Sequence, residues 1–185
     1  MKKTARLGNG SSAFDGLRHT HAHHTKPGSK YAKTRTLSIK HMDRTEVRSS
    51  IIAIQNRNNQ YLTYYDEGWK CDFFPNRATA SPETNEARLA EYLQHNFGLP
   101  ENTCSLELVA EGSEAKPSTE HGNELRYYEY KLYRAVVKTM PEGWDAAEFR
   151  TQGKRCKWLT LDEMMANPRT NGINHYVIAL VRDHA

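Results

Sequence analysis

The stretch from residue 74 to residue 99 constrains the fold most, because it encodes both ends of one amphipathic helix. The run Ser81-Pro82-Glu83 supplies an N-cap, a proline suited to the first helical position and an acidic first-turn residue that complements the helix dipole. Gly98 is the residue type that ends helices in a left-handed conformation. These signals predict a helix over residues 81–97. Its apolar stripe, which should pack on a sheet, comprises Leu89, Ala90, Leu93 and Phe97.

Runs rich in β-branched and aromatic residues predict strands on both sides of this helix. The candidates are residues 50–54, 60–65, 69–74, 105–109 and 125–138. The polar, breaker-rich residues 111–124 predict a mobile loop, and the apolar residues 173–181 predict a final helix. An order of three strands, a helix, further strands and a helix predicts one domain that mixes helices and strands.

Residues 77–99 resemble the signature of the Nudix hydrolase family, which reads Gly, five residues, Glu, seven residues, then Arg-Glu-apolar-x-Glu-Glu-x-Gly-apolar. In an ungapped register, Arg77 stands at the first glycine and Glu91 at the arginine. The positions that keep the family residue type are Glu83, Leu93, Gly98 and Leu99. The other three glutamates are replaced by Tyr92, His95 and Asn96. The stretch Trp158 to Glu163 also resembles the Trp-Leu-x-x-x-Glu element that closes many Nudix domains.

This resemblance implies an α/β domain of the α+β kind, with a Nudix-like mixed β-sheet sandwiched between helices over residues 45–185. In the family, clustered carboxylates hold divalent cations against a diphosphate, and hard cations such as Mg²⁺ require oxygen ligands. Tyr92 and Asn96 are neutral, and the His95 nitrogen suits softer metals. The sequence therefore favours an inherited fold with a degenerate active site, and it leans against an enzyme.

Several side chains are candidates for ligand binding. Arg77 offers a guanidinium suited to a phosphate, and Trp69 offers a ring on which a base can stack. Tyr92, His95 and Asn96 share helical spacing and complete the candidate ligand-binding set. Glu83 is the candidate metal ligand and catalytic carboxylate if activity persists. Further stacking surfaces are offered by Phe73 and by the tyrosines at 127, 128, 130 and 133, of which 128 and 130 fall on one strand face.

The charge of the chain is unevenly divided. Residues 1–48 contain eleven basic and three acidic residues, a net charge of +8, whereas the remainder has a net charge of −4. Residues 1–44 are also rich in Gly, Ser, Thr and His, so we expect a flexible, disordered basic tail. Such a tail suits contact with nucleic acid or a protein partner. Its compact histidine cluster is a candidate weak site for Zn²⁺, Ni²⁺ or Cu²⁺ and comprises His19, His21, His23 and His24.

Other features point to an intracellular protein. Three widely spaced cysteines without a CxxC pair predict reduced thiols, and no apolar run is long enough to cross a bilayer. No apolar segment follows the first lysines, so we expect no secretory signal, no membrane partner and a cytoplasmic location. We expect no cofactor, with Mg²⁺ or Mn²⁺ required only if the chain is a hydrolase.

Three functions remain open from the sequence. The favoured one is a catalytically degenerate Nudix-like domain that acts as a binding or regulatory module for a nucleotide or nucleic acid. The second is a divergent, metal-dependent hydrolase of nucleoside diphosphate derivatives that uses Glu83 with carboxylates from elsewhere. The third is a structural subunit of a larger protein or ribonucleoprotein assembly.

Overall fold

The computed structural model of the chain describes residues 46–118 and 121–185, which all belong to the unit His41–Ala185. This part contains eight strands and three helices, so the mixed α+β fold predicted from the sequence is confirmed. In chain order the elements are β1 (Glu46–Ile54), β2 (Tyr61–Asp66), β3 (Cys71–Phe73), β4 (Asn76–Ala78), α1 (Pro82–Phe97), β5 (Cys104–Pro117), β6 (Leu125–Val137), β7 (Glu148–Thr151), β8 (Lys154–Leu159), α2 (Leu161–Ala166) and α3 (Pro168–His184).

The strands form two four-stranded sheets. The first has the order β4-β1-β6-β5, with β1 parallel to β6 and the two outer pairs antiparallel, so it is a mixed sheet. The second has the order β3-β2-β8-β7 and is antiparallel throughout. The parallel pair requires a long crossover, and the chain between β1 and β6 supplies it with three strands, helix α1 and β5.

The mixed sheet is packed on both faces. Four consecutive residues of β1, Ile51 to Ile54, are buried, as expected for a strand with two covered faces. Ile52 and Ile54 belong to the core cluster that contains the α1 residues Leu89, Leu93 and Phe97. Ile51 and Ala53 belong to the other cluster, which contains Val177, Ile178 and Val181 of α3. The predicted sandwich of a mixed sheet between helices is therefore present.

Helix α1 has the predicted ends but a different buried stripe. Ser81 is the N-cap, Pro82 is the first helical residue, and Gly98 ends the helix at φ +71°. The prediction that Ala90 packs in the core is wrong, because this residue is exposed. The buried positions are Asn85, Leu89, Tyr92, Leu93 and Phe97. The buried stripe extends one turn further toward the N-terminus than predicted, to the polar residue Asn85.

The predicted loop over residues 111–124 is also partly wrong, because β5 continues to Pro117 and pairs with β6 as far as Leu125. Polar side chains hold this extension by contacts to neighbouring residues. Glu111 lies 2.9 Å from the Lys131 ammonium, and Glu114 accepts hydrogen bonds from Lys116 and Tyr130. A polar composition therefore concealed a strand whose charges are matched across the ladder.

Further sequence predictions can be compared with the structure. The long strand over residues 125–138 and the final helix are confirmed as β6 and α3. The three cysteines are free, as predicted, with Cys71 and Cys156 buried. Among the described residues, no helix is both long and apolar enough to cross a membrane. The basic tail over residues 1–44 and its histidines His19, His21, His23 and His24 lie outside the described residues.

Substitution of Gly98 tests the end of helix α1. An added Cβ would lie 3.2 Å from side-chain atoms of both Thr151 and Gln152, and φ +71° is unfavourable for a residue with a side chain. We expect Gly98→Ala to lower the free energy of unfolding by about 1–2 kcal/mol in urea denaturation. Gly172→Ala is the matched control, because this helical glycine has no atom within 4 Å of an added Cβ. It should raise stability by about 0.5–1 kcal/mol, and a loss as large as that of Gly98→Ala would contradict the account.

Candidate functional site

The C-terminal half of α1 carries aromatic rings and packs beside Arg77 of strand β4. Tyr92 is buried, and the Arg77 guanidinium carbon lies 5.5 Å from the centroid of its ring. The ring packs edge-on against Phe97 at 5.6 Å, and Phe97 packs against Tyr64 at 5.8 Å. The Lys154 ammonium lies 4.4 Å from the Tyr64 centroid. This arrangement is an aromatic cluster with a cation at each end.

The other two candidate residues on this helix lie in different environments. His95 is exposed, and its Nδ1 atom is 4.0 Å from a carboxylate oxygen of Glu91, one helical turn earlier. Asn96 is half-buried. Helical spacing predicts that Tyr92, His95 and Asn96 share a face, but Tyr92 points into the core while His95 points into solvent.

Glu83 is at the exposed first turn of α1. Hydrogen bonds from its own backbone amide and from Ser81 stabilise the carboxylate and hold its pKa below the usual range. An acidic residue here also complements the partial positive charge of the helix N-terminus. The carboxylate therefore has a helix-capping role that requires no metal.

Asn85 is a buried residue that the sequence analysis missed. Its side-chain oxygen accepts a hydrogen bond from the Ala80 amide at 2.8 Å. Its nitrogen donates to the hydroxyls of Ser50 on β1 and Tyr133 on β6, each at 3.0 Å. The sequence contains a signal for this residue, because Asn85 lies four residues before Leu89 on the same helix stripe. A polar residue on a buried stripe requires buried hydrogen-bond partners.

Trp69 lies in a separate cleft between the mixed sheet and α3. The cleft has a volume of about 360 Å³, within the range of small-molecule sites. Its aromatic lining comprises Trp69, Phe73, Tyr128 and Tyr130. The Tyr128 and Tyr130 rings are stacked with their planes 8° apart, so the prediction that they share a face is confirmed. Tyr133 packs in the core cluster on the opposite side of the sheet, as alternation predicts.

The lining of this cleft is cationic. Arg48, Lys116 and Arg126 contribute to it, and none of the lining residues among those described is an aspartate or glutamate. The Lys116 ammonium donates to Glu114 at 2.6 Å and to the Ile173 carbonyl at 2.8 Å, and it lies 5.0 Å from the Tyr128 centroid. These contacts hold the ammonium in one place.

Strand β4 separates the cleft from the aromatic cluster. Asn76 and Ala78 line the cleft, whereas Arg77 between them lies over Tyr92 on the other side. This follows from the alternation of side chains along a strand. Asn76 connects the two sides, because its amide donates to the Tyr64 hydroxyl at 3.3 Å. The candidate ligand residues are thus separated: Trp69 lies in the cleft, whereas Arg77 and Tyr92 lie on the other side of β4.

The side chains at the signature positions do not fit a magnesium ion. Mg²⁺ requires an octahedral shell of oxygen atoms, and proteins usually supply carboxylates for it. Of the four positions with glutamate in the signature, the three on the second half of α1 supply a buried phenol, an exposed imidazole and an amide, with a guanidinium beside the phenol. The fourth, Glu83, lies apart from them in the exposed first turn of the helix. Across residues 46–118 and 121–185, no group of three or more His, Cys, Asp or Glu residues is arranged to hold a metal ion.

Comparison with known proteins found similarity in structure but no significant match in sequence. No protein-family model matches the chain, and no curated protein matches it significantly in sequence. The chain is similar in structure to the Ap4A hydrolase of C. elegans, with 9% identity and a TM-score of 0.46 over 73% of this chain and 94% of that one. For the Nudix domain of Shewanella oneidensis NrtR, solved with ADP ribose, the identity is 11% and the TM-score is 0.46 over 76% and 89% of the two chains. For the MutT protein of Methanosarcina mazei, the values are 9% and 0.45 over 68% and 84%.

The buried phenol at the signature position predicts a specific alkaline response. Burial raises the pKa of Tyr92 to about 12, although the Asn76 backbone and Arg77 partly offset the effect. An unfolded tyrosine ionises near pH 10, so the stability gained from the neutral phenol is complete below pH 10 and is lost as the pH rises toward 12. In urea unfolding between pH 9 and pH 11.5, Tyr92→Phe should lose stability less steeply than the wild type. Parallel profiles would contradict this.

Proposed function

We propose that this chain is a catalytically degenerate, Nudix-like binding module that takes a nucleotide in the cleft between the mixed sheet and α3. The observation that carries the proposal is the lining of this cleft, which combines aromatic rings with fixed cations. A base requires a flat apolar surface, and phosphates require positive charge and hydrogen-bond donors. Both requirements are met within one cavity of about 360 Å³.

The aromatic part supports the binding of a base. Trp69 and Phe73 pack edge to face at 5.4 Å along one wall, and the stacked Tyr128 and Tyr130 rings form another. Tyr130 also stacks on Tyr176 of α3 at 5.8 Å, so the wall is supported from behind. Rings fixed in this way lose little conformational entropy when a planar ligand binds.

The cationic part supports the binding of phosphates. The Arg126 side chain is only 15% exposed, and its guanidinium contacts Glu124 through one carboxylate oxygen at 3.1 and 3.3 Å. Arginine carries five donors, so donors remain available to a ligand after this contact. Lys116 is held in place by Glu114 and a helix carbonyl. Both cations are positioned before a ligand arrives.

The side chains of α1 support binding without hydrolysis. Nudix chemistry depends on carboxylates that converge on metal ions, whereas α1 has a buried phenol, a solvent-facing imidazole and a capping glutamate. A domain that binds a nucleotide without hydrolysing it suits a regulatory role, in which the binding itself is the signal.

Arg126→Gln tests the binding proposal. Titration of the full chain with ADP, ATP, GDP and ADP-ribose, followed by calorimetry, should show a nucleotide that binds the wild type. Loss of one charge-assisted contact should weaken that binding by about 10-fold or more. Arg134→Gln is the matched control, because Arg134 lies on the same strand, is exposed and pairs with Glu107 outside the cleft.

Equal affinities of the two variants would place the ligand elsewhere. No binding of any nucleotide by the wild type at millimolar concentration would reject the proposal and leave the role of a subunit in an assembly.

The hydrolase alternative is favoured by one observation, the preserved frame of the signature. Glu83 occupies the first turn, and Gly98 ends the helix in the left-handed conformation. If the chain is a hydrolase, phosphate release from nucleoside diphosphate derivatives should require Mg²⁺ or Mn²⁺ and fall at least 100-fold in Glu83→Gln, as expected for a lost catalytic group. Glu101→Gln, an exposed carboxylate beyond the helix, should keep wild-type turnover. An inactive wild type across the panel would eliminate this alternative.

A further inference from the structure

Strand β5 forms one edge of the mixed sheet, and the outer side of this edge is only partly covered. Toward the C-terminal end of the strand, helix α3 covers it, because the Ser113 amide donates to the Tyr176 hydroxyl at 3.0 Å. Gly112 permits this close approach, since an added Cβ would lie 2.6 Å from the same hydroxyl. Residues 104–108, which we call the open half of β5, pair with β6 on one side. Within the described part of the chain, no other element forms a hydrogen bond to their outer side.

The backbone groups of the open half point outward at every second residue. The Lys138 amide donates to the Thr103 carbonyl at 2.8 Å, so these two residues form a hydrogen-bonded pair at the end of the β5–β6 ladder. In an antiparallel ladder, such pairs alternate with pairs that exchange no hydrogen bonds. The amides and carbonyls of Cys104, Leu106 and Leu108 therefore face away from β6. Outward groups of this kind are a template for the addition of another strand.

The open half lacks the features that usually protect the edge of a sheet. Residues 104–108 contain no proline or lysine, and their one charged residue, Glu107, pairs with Arg134 of β6 at 3.3 Å. The bulge in β5 comes only after Leu108. Apolar side chains are also exposed on both faces, since Leu108 is 41% exposed on the α1 face and Val136 of β6 is 54% exposed on the opposite face. These features suit pairing with a strand of another chain.

A small groove lies beside the open half on the α1 face. It has a volume of about 320 Å³ and lies between α1 and the segment that leads into β5. The rim of the groove is polar, and its apolar lining comprises Ala87, Ala90, Leu93, Leu99, Pro100 and Cys104. Cys104 and Leu108 lie on the same face of the sheet, because they are four residues apart on one strand. The open half therefore has an apolar groove at one end and an exposed leucine at the other.

We infer that two copies of this chain pair through the open half of β5, antiparallel and about a twofold axis at Leu106. Leu106 then lies opposite its own counterpart, and each outward amide and carbonyl of the open half finds a partner across the axis. Leu108 of one copy lies opposite Cys104 of the other, on the same face, at the mouth of the groove. Each copy supplies one exposed leucine and one groove, so the surface is self-complementary, as a twofold interface requires.

The charges of the open half select this register over its nearest alternative. A twofold axis at Leu106 places Glu107 opposite the uncharged Ser105 of the other copy. An axis at Glu107 would also use outward backbone groups, but it would place two carboxylates directly opposite each other, and like charges in that position destabilise a sheet. The interface lies at the far end of β5 from Lys116, which lines the nucleotide cleft, so dimer formation does not depend on nucleotide binding.

Sedimentation velocity of the full chain tests the interface. The wild type should show a monomer–dimer equilibrium between micromolar and near-millimolar concentration. Leu108→Asp should raise the dissociation constant of the dimer by about 10-fold or more, because it places a carboxylate in an apolar contact. Leu125→Asp is the matched control, since Leu125 is 56% exposed at the other end of the β5–β6 ladder. This control should dimerise as the wild type does.

Disulfide formation tests the register by a second variant. In Leu108→Cys, the new thiol lies opposite Cys104 of the other copy, with Cα atoms about 5.5 Å apart, which is within the range of disulfides. Oxidation should give a covalent dimer on a non-reducing gel. Addition of Cys104→Ser should abolish this dimer, because the two substituted positions 108 are about 13 Å apart along the strands. Leu125→Cys should give no covalent dimer.

Three results would overturn the proposal. A wild type that stays monomeric up to near-millimolar concentration would leave the open half to a strand of a different protein. Dimerisation of Leu108→Asp with wild-type affinity would assign self-association to another surface. A covalent dimer of Leu108→Cys that persists after Cys104→Ser is added would reject the twofold axis at Leu106.

Discussion

The side-chain amide of Asn85 is the contact that fixes helix α1 against the mixed sheet. It joins the first turns of α1 to both parallel strands of the mixed sheet, through the hydroxyls of Ser50 and Tyr133, and to the preceding loop through the Ala80 amide. A buried amide without such partners would cost roughly 1–3 kcal/mol, so the helix is fixed in angle and register over the sheet. This fixes the position of Tyr92, which lies on the same helix.

The two faces of the mixed sheet carry different arrangements of aromatic rings and cations. On the α1 side, Arg77 and Lys154 lie over the rings of Tyr92 and Tyr64. On the α3 side, cations paired with carboxylates surround an aromatic cleft. The α3 side has the shape of a cavity that can enclose a small ligand.

Local signals in the sequence identified most elements because each signal acts within a few residues. Pro82 and Gly98 fix the ends of α1 by backbone geometry alone. The apolar runs of β1 and β6 predict by themselves that these strands are buried. The polar half of β5 was missed because its pairing depends on Lys131 and Tyr130, which are distant in sequence. The short strands β4 and β7 were missed for a different reason, because three or four residues carry little periodicity of their own.

The sequence by itself determined the mixed fold, the ends of α1 and the identities of the candidate residues Tyr92, His95, Trp69 and Arg77. Only the tertiary structure decided where those residues point. It placed Tyr92 inside the core and His95 outside it, separated Trp69 from Arg77 by a strand, and brought Lys154 onto the ring of Tyr64. The physical reason is that helical spacing and alternation act along the chain, whereas a binding surface is assembled from elements that meet only when the sheets pack.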